Sequence, residues 1–277
     1  MRAAIDFGIS NTDLVVEQDG DIRHWAQASR GKPTPELLDQ LFAHVGLRTS
    51  DFKRIAVTGG QHNVLPRYIG STEIVPIGEL TAIGRGGQAL AQEAGIAFGT
   101  PLVVVSAGSG TAAVAARDTS YNHITGSGVG GGTLLGLGRL LLQTVDPREI
   151  DALACKGDPN GADLALADVI SGPIGSLPAD ATAVNFGRLG REAIDVSRED
   201  LAASLVTLVS QVIAVTAINA ARAQQIEHVV VIGHLTDMAS VCKVLKTVGG
   251  YYGMDLIVPG HAGHSTALGA LLHLPPA

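Results

Sequence analysis

Residues 2–20 read RAAIDFGISNTDLVVEQDG, and residues 101–117 read PLVVVSAGSGTAAVAAR. Each stretch starts as an apolar run, breaks into a turn of glycine and small hydroxyl residues, and resumes as a second apolar run. That is the pattern of two strands joined by a turn. The turns are Asp6-Phe-Gly-Ile-Ser-Asn-Thr12 and Ser106-Ala-Gly-Ser-Gly-Thr111. One such hairpin carries little information, but its recurrence near residues 6 and 106 implies two related lobes facing one another across a cleft. No low-complexity tract separates them. The boundary is therefore expected near residue 95, with an N-terminal lobe over 1–95 and a C-terminal lobe over 96–277.

The composition of the turns suggests what the cleft holds. Gly8, Gly108 and Gly110 let backbone amides come close to an anion, and Ser10, Thr12, Ser109 and Thr111 add hydroxyls, so both turns are candidate phosphate cradles. Asp6, at the end of the first strand, is placed to hold a metal-bound water beside those phosphates, because hard Mg²⁺ prefers oxygen ligands. The alternative is an ordinary turn in which Asp6 bonds to its own loop. A third segment, GSGVGGGTLLGLG at 126–138, carries seven glycines in thirteen residues and runs on into an apolar helix. A glycine-rich loop opening a helix offers free amides and the positive end of the helix dipole. Gly130, Gly131 and Gly132 are thus further candidate contacts to a nucleotide.

Around these segments the chain alternates strands and helices. A Thr34 cap and Pro35 open a helix over 34–46, 54–58 is a buried strand ending at Gly59-Gly60, and 73–76 is extended before a helix over 79–94. Residues 198–224 form a long, almost wholly apolar helix that must be buried, in the core or against a second subunit. A central strand follows at 228–233, and 264–273 closes the chain as a helix. The 277 residues are 46% hydrophobic and 16% charged, which supports a sizeable core and argues against global disorder. Aromatic residues are only 4%, so that core is built from Ala, Val, Leu and Ile. A net charge of -7 gives no basic footprint for nucleic acid or a membrane surface. The opening residues lack the apolar core and cleavage site of a signal peptide. Cys155 and Cys242 are too few for a disulfide framework and read as small buried hydrophobes. The expectation is a soluble, cytoplasmic protein acting on a small molecule.

The glycine-rich segment with its continuation, GSGVGGGTLLGLGRLLL, resembles the helix start of type II pantothenate kinases. AGSGT just before it, GDPNGADL at 157–164, AVNFGRL at 183–189 and EDLAASLVTLVSQVIAVTAINAA at 199–221 fall in register with that family. So do HVVVIGHL and the closing HSTALGALL, and the similarity spans nearly the whole chain. The resemblance implies a two-lobed α/β fold of the actin-like ATPase type. It implies ATP and Mg²⁺ as cofactors and a homodimer formed through the 198–224 helix. The implied reaction is phosphorylation of pantothenate, or of a related pantetheine-like alcohol, the first step of coenzyme A biosynthesis. Glu79, in Pro76-Ile-Gly-Glu-Leu-Thr-Ala82, is in register with the family's catalytic base. A carboxylate there would orient and deprotonate a primary alcohol for in-line attack on the γ-phosphate. Its other role would be to complement a helix dipole. Asn185, in the NFG segment, falls in the family's substrate region.

Two positions depart from the family pattern. The first loop of the family carries a Lys that meets the ATP phosphates, where this chain has Asp13, an anion unfavourable beside a polyphosphate. An Arg expected near the substrate, just before the glycine-rich helix, is replaced by His123, which is mostly neutral at pH 7 unless an anion raises its pKa. Arg85 and Arg117 are candidate substitutes. These departures leave open a catalytically altered nucleotide- or CoA-binding homologue, or a non-kinase transferase on the same fold. The opening IDFGISNTDLVV also resembles the first loop of the hydantoinase/oxoprolinase group, which has Thr-Asp at this place. His234, His261 and His264 are read as loop histidines lining the cleft rather than as a transition-metal site, since no cysteine cluster or HExxH motif accompanies them.

Overall fold

The computed structural model describes residues 1–60, 62–170, 173–191 and 194–274. Six strands, β1 (Arg2–Phe7), β2 (Asn11–Gln18), β3 (Asp21–Ala28), β4 (Arg54–Gly59), β5 (Tyr68–Ile69) and β6 (Thr72–Pro76), form a mixed sheet in the order β3-β2-β1-β4-β6-β5. Helix α1 (Pro35–His44) covers one face. Thr34 caps it by accepting from the Leu37 amide, and Leu37, Leu38, Leu41 and Phe42 pack on Phe52 and Ile55. Helix α2 (Glu79–Glu93) then leads to β7 (Leu102–Ala107), β8 (Thr111–Arg117) and β9 (Ser120–Ser127). Next come α3 (Gly131–Leu141), α4 (Pro147–Ala154), the short pair β10 (Leu164–Ala165) and β11 (Thr182–Val184) with α5 (Leu166–Val169) between them, and α6 (Arg198–Gln224). The chain finishes with β12 (His228–Ile232), α7 (Ala239–Tyr251), β13 (Leu256–Ile257) and α8 (Ser265–Leu271).

The second sheet has the order β13-β12-β7-β8-β9. Set beside β3-β2-β1-β4-β6, it repeats one plan: three antiparallel strands, then two parallel ones joined on the inner side. The duplicated hairpin of the sequence is thus part of a duplicated sheet. Val103–Val105 and Val229–Val231 are wholly buried, as expected for central strands covered on both faces.

Helix α6 starts at a Ser197 cap and lays Leu205, Val209, Ile213, Ala217 and Ala221 against the second sheet. By length and composition it alone among the described helices would suit a membrane. Yet 67% of its most apolar window is inside the fold, so its apolarity serves the core. Helices α2 and α8 cross between the sheets. Ile83, Leu90 and Ala91 of α2 pack on Leu102, Val104 and Val114, whereas Ala267, Ala270 and Leu271 of α8 pack on Ala4, Val15 and Ala56. The crossing is close because Gly86 and Gly269 face backbone. A Cβ on Gly86 would overlap the Ser265 carbonyl, and one on Gly269 the Ala82 carbonyl.

The structure corrects one sequence expectation about the core. Cys155 is exposed just past α4, and Cys242 is only partly buried, its Sγ 3.1 Å from the Thr236 carbonyl oxygen. The glycine-dense segment also divides differently: Gly126 and Ser127 end β9, and the helix already begins at Gly131.

Candidate active site

The β1–β2 and β7–β8 turns meet tip to tip, with Ser10 Oγ 2.8 Å from Ser109 Oγ. Each turn is fixed from behind by its carbonyls. In the first, Ser29 Oγ donates to the Gly8 carbonyl at 2.6 Å and the Ser29 amide donates to the Ser10 carbonyl at 3.0 Å. In the second, the Gly131 and Gly132 amides, at the start of α3, donate to the Gly108 and Ser109 carbonyls at 2.8 Å each. A trans peptide is planar, so its N–H points opposite to its C=O. Tying back these four carbonyls therefore turns the amides of Ile9, Asn11, Ser109 and Gly110 the other way, where they are available to an anion.

This arrangement gives the glycines of α3 a different part from the one their composition suggests. The Gly131 and Gly132 amides are used on the second turn rather than left free for an anion, and the Gly130 amide donates to Thr133 Oγ1 at 3.3 Å. A Cβ on Gly130 would come within 2.8 Å of Gly110 C and Ser109 O, so only glycine allows this docking. Thr12 and Thr111 are likewise internal: Thr12 Oγ1 lies 3.1 Å from Ser29 Oγ, and Thr111 Oγ1 donates to the Val129 carbonyl at 2.7 Å. Ser10 and Ser109 are the hydroxyls at the tips.

Beneath the first turn, acidic groups converge. Asp6 and Asp13 are directly paired across β1 and β2, which puts both side chains on one face of the sheet. Gly59 must be glycine here, with φ +91° and a Cβ position only 2.6 Å from Asp6 Oδ1. Burial, then the charges of Asp13 and Glu79, push the Asp6 carboxyl up to about 7, with His234 opposing. Glu79 is exposed as the first residue of α2, whose cap residue Gly78 supplies no side chain.

Asp13 itself is buried and has found partners that the sequence did not pair with it. Its Oδ1 receives His234 Nε2 at 2.8 Å and His264 Nδ1 at 3.1 Å. Burial alone would raise the Asp13 pKa, but these two imidazoles hold it below the ordinary carboxylate value. His234 sits in a helical turn (His234–Asp237) just after β12, and its Nδ1 lies 2.8 Å from Asp237 Oδ2. Burial would lower its pKa, yet Asp13 and Asp237 on its two nitrogens raise it to about 10. The His24 ring, on β3, packs 4.0 Å from that of His264 and 4.8 Å from that of His261.

The remaining predicted residues have other surroundings. His123 is exposed on β9, opposite Val114. Asn185 donates to Asp163 Oδ2 at 3.4 Å and Gln211 Oε1 at 3.2 Å, in a knot where Asp163 also accepts from the Phe186 amide, Thr182 and Ser204. Arg117 donates to the Gln224 carbonyl, whereas the Arg85 guanidinium lies over the Phe98 ring and its Nη1 is buried with no hydrogen-bond partner among the described residues.

Comparison with known proteins assigns this architecture. The Fumble family profile matches residues 89–273, about two thirds of the chain. The chain belongs to the Fumble family. Among its relatives, a type II pantothenate kinase of Bacillus cereus is 28% identical over 80% of this chain and 81% of its own. One from Staphylococcus aureus is 27% identical over 98% of both chains. Among solved structures, the activator of the 2-hydroxyisocaproyl-CoA dehydratase from Clostridium difficile, with bound ADPNP, superposes with a TM-score of 0.66 at 18% identity, covering 98% of this chain and 92% of that one. Component A of the (R)-2-hydroxyglutaryl-CoA dehydratase of Acidaminococcus fermentans gives 0.66 at 16% identity, covering 98% and 96%. The fold is therefore the actin-like ATPase fold. The Fumble match covers the second turn, α3, α6, His234 and His264, while Asp6, Asp13 and Glu79 precede it.

Proposed function

We propose that this Fumble-family protein is a Mg-ATP-dependent kinase that phosphorylates pantothenate, or a related pantetheine-like alcohol, as the first step of coenzyme A biosynthesis. The observation that carries the reading is the opposed pair of turns, Ser10 against Ser109, with their carbonyls tied back and their amides available, and with Glu79 close enough to act on the charge of Asp6 beneath the first turn. The names of the relatives supply the acceptor.

In this reading the amides of Ile9, Asn11, Ser109 and Gly110, with the Ser10 and Ser109 hydroxyls, hold phosphate oxygens. Gly8 and Gly108 let the backbone approach them, Thr12 and Thr111 brace the turns, and Gly130, Gly131 and Gly132 keep the second turn in place through α3. Glu79 accepts the proton of the attacking hydroxyl. His123 and Asn185 belong to the acceptor side. The residues fit a magnesium site as well: among the described residues Asp6 makes no salt bridge, the charge of His234 only partly offsets its burial, and a hard cation beside it would stabilise its ionised form. Mg²⁺ would there neutralise charge on the transferred phosphoryl group.

The lobes are assigned to 1–95 and 96–277, joined through the α2–α8 crossing. The homodimer is assigned to α6, whose partly exposed Leu208, Val212 and Val215 lie at i, i+4 and i+7 along one side. The cytoplasm is the proposed location.

The test is ADP release by the purified protein with Mg-ATP and no acceptor, pantothenate or pantetheine, beside Glu79→Ala. Acceptor-dependent turnover that falls about 10²–10⁴-fold in the variant is the expected result. Turnover unchanged by Glu79→Ala removes Glu79 as the base, and no stimulation by either acceptor overturns the kinase reading.

A further inference from the structure

The histidines around Asp13 form a site that the phosphate turns do not account for. Three atoms, Asp13 Oδ1, His234 Nε2 and His264 Nδ1, lie within 4.8 Å of one another, and Asp13 joins the other two at 2.8 and 3.1 Å. They come from opposite sides of the cleft: Asp13 from β2 of the first sheet, the histidines from turns that follow β12 and precede α8. The second turn lies alongside, since a Cβ on Gly233 would come within 2.5 Å of the Ala107 carbonyl oxygen.

The hydrogen-bond pattern limits what sits at the centre. His234 Nδ1 faces the Asp237 carboxylate at 2.8 Å and so carries its proton there. The Nε2 lone pair of the neutral ring then faces the Asp13 carboxylate, and two electron-rich atoms 2.8 Å apart require a positive charge between them. Either a second proton or a metal ion supplies it. We propose that Asp13, His234 and His264 bind a divalent transition-metal ion of the Zn²⁺ class, bridging the two sheets beside the phosphate turns.

Two nitrogens and one carboxylate oxygen form a donor set suited to Zn²⁺, Co²⁺ or Fe²⁺. In a tetrahedral zinc site with bonds of about 2.0–2.1 Å, donor atoms stand roughly 3.3 Å apart. The two separations from Asp13, 2.8 and 3.1 Å, need only a few tenths of an ångström of adjustment, and the two histidine nitrogens, within 4.8 Å of each other, would draw together around the ion. The outer shell is also present. Asp237 holds the second nitrogen of His234, as carboxylates commonly do behind metal-bound histidines. The His24 ring, 4.0 Å from His264, fixes the plane of that ligand. A cation here would restore positive charge next to the phosphate turns, where Asp13 replaces the lysine expected in this loop.

The experiment is titration of the chelator-treated, full-length protein with Co²⁺ alone, read by its visible d–d absorption and by calorimetry without nucleotide. Nucleotide and acceptor are absent, so failure here is distinguishable from failure of the kinase reading. One Co²⁺ per chain, with absorption of four- or five-coordinate strength and displacement by Zn²⁺, is expected. Asp237→Asn, a change at an exposed side chain, should weaken uptake about 10–100-fold. His264→Ala should abolish the spectrum, and His261→Ala should leave it unchanged. The wild-type spectrum decides the question even where His264→Ala fails to fold. No saturable uptake, or uptake indifferent to both Asp237→Asn and His264→Ala, overturns the proposal and leaves a proton between His234 and Asp13.

Discussion

The β1–β2 and β7–β8 turns hold the same place in two sheets of the same plan, yet they are secured by different means. The first leans on one residue, Ser29, whose hydroxyl and amide hold the Gly8 and Ser10 carbonyls. The second leans on the first amides of a helix, and the contact is so close that Gly130 can be nothing larger. One of the two ties on the first side is a side-chain hydroxyl, whereas both on the second are backbone amides. The difference has a consequence for chemistry. The second turn offers backbone amides and the Ser109 hydroxyl, and the carboxylates and imidazoles gather on the first: Asp6, Asp13 and Glu79, with His234 and His264 reaching across to Asp13.

The contrast can be broken most strongly at Asp6. Its folded pKa of about 7 stands above the unfolded value of 3.8, so its stabilising contribution is complete below pH 3.8 and is lost as pH rises towards and through 7. Without metal or nucleotide, Asp6→Asn removes that loss. The variant should gain roughly 3 kcal/mol over wild type between pH 5 and 8, read from urea unfolding at each pH. A constant difference across that range would mean that Asp6 is ionised in the folded protein throughout.

On the second side the weak point is steric. Gly130→Ala drives a methyl into the Gly110 backbone and should cost about 2 kcal/mol of stability as an overpacking change, with a raised KM for ATP. Wild-type stability and KM in this variant would show that α3 does not dock as described. The smallest effect belongs to Ser29→Ala, which removes the hydroxyl bond to Gly8 but keeps the amide bond to Ser10. It should cost about 1 kcal/mol. If Ser29→Ala proved more damaging than Gly130→Ala, the two supports would be ranked the wrong way round.

The hairpins were legible because their signal is local: an apolar run, a glycine turn and a second apolar run, twice. The helix over 34–46 was legible from its cap, proline and apolar spacing, and that over 198–224 from its almost wholly apolar length; with the one read over 79–94 they occur at Pro35–His44, Arg198–Gln224 and Glu79–Glu93. The outer strands β3 and β9 left little trace, because DIRHWAQA and SYNHITGS are largely exposed and carry no clean apolar alternation. The docking of α3 onto the second turn was hidden for a different reason. Free amides at a helix start invite an anion, and only the tertiary contact shows that two of them already hold Gly108 and Ser109. The pairing of Asp13 with His234 and His264 was least accessible, since 221 and 251 residues separate the partners. An acidic residue in a phosphate loop, together with unassigned histidines after a central strand, was the available signal.

Fold and family together point to a kinase that moves phosphate from ATP to pantothenate. The most direct measurement is mass spectrometry of pantothenate incubated with the wild-type protein and Mg-ATP, with ADPNP in place of ATP as the control. Phosphorylated pantothenate is expected with ATP and not with ADPNP. Pantothenate recovered unchanged, under conditions where the protein binds ATP, would contradict it.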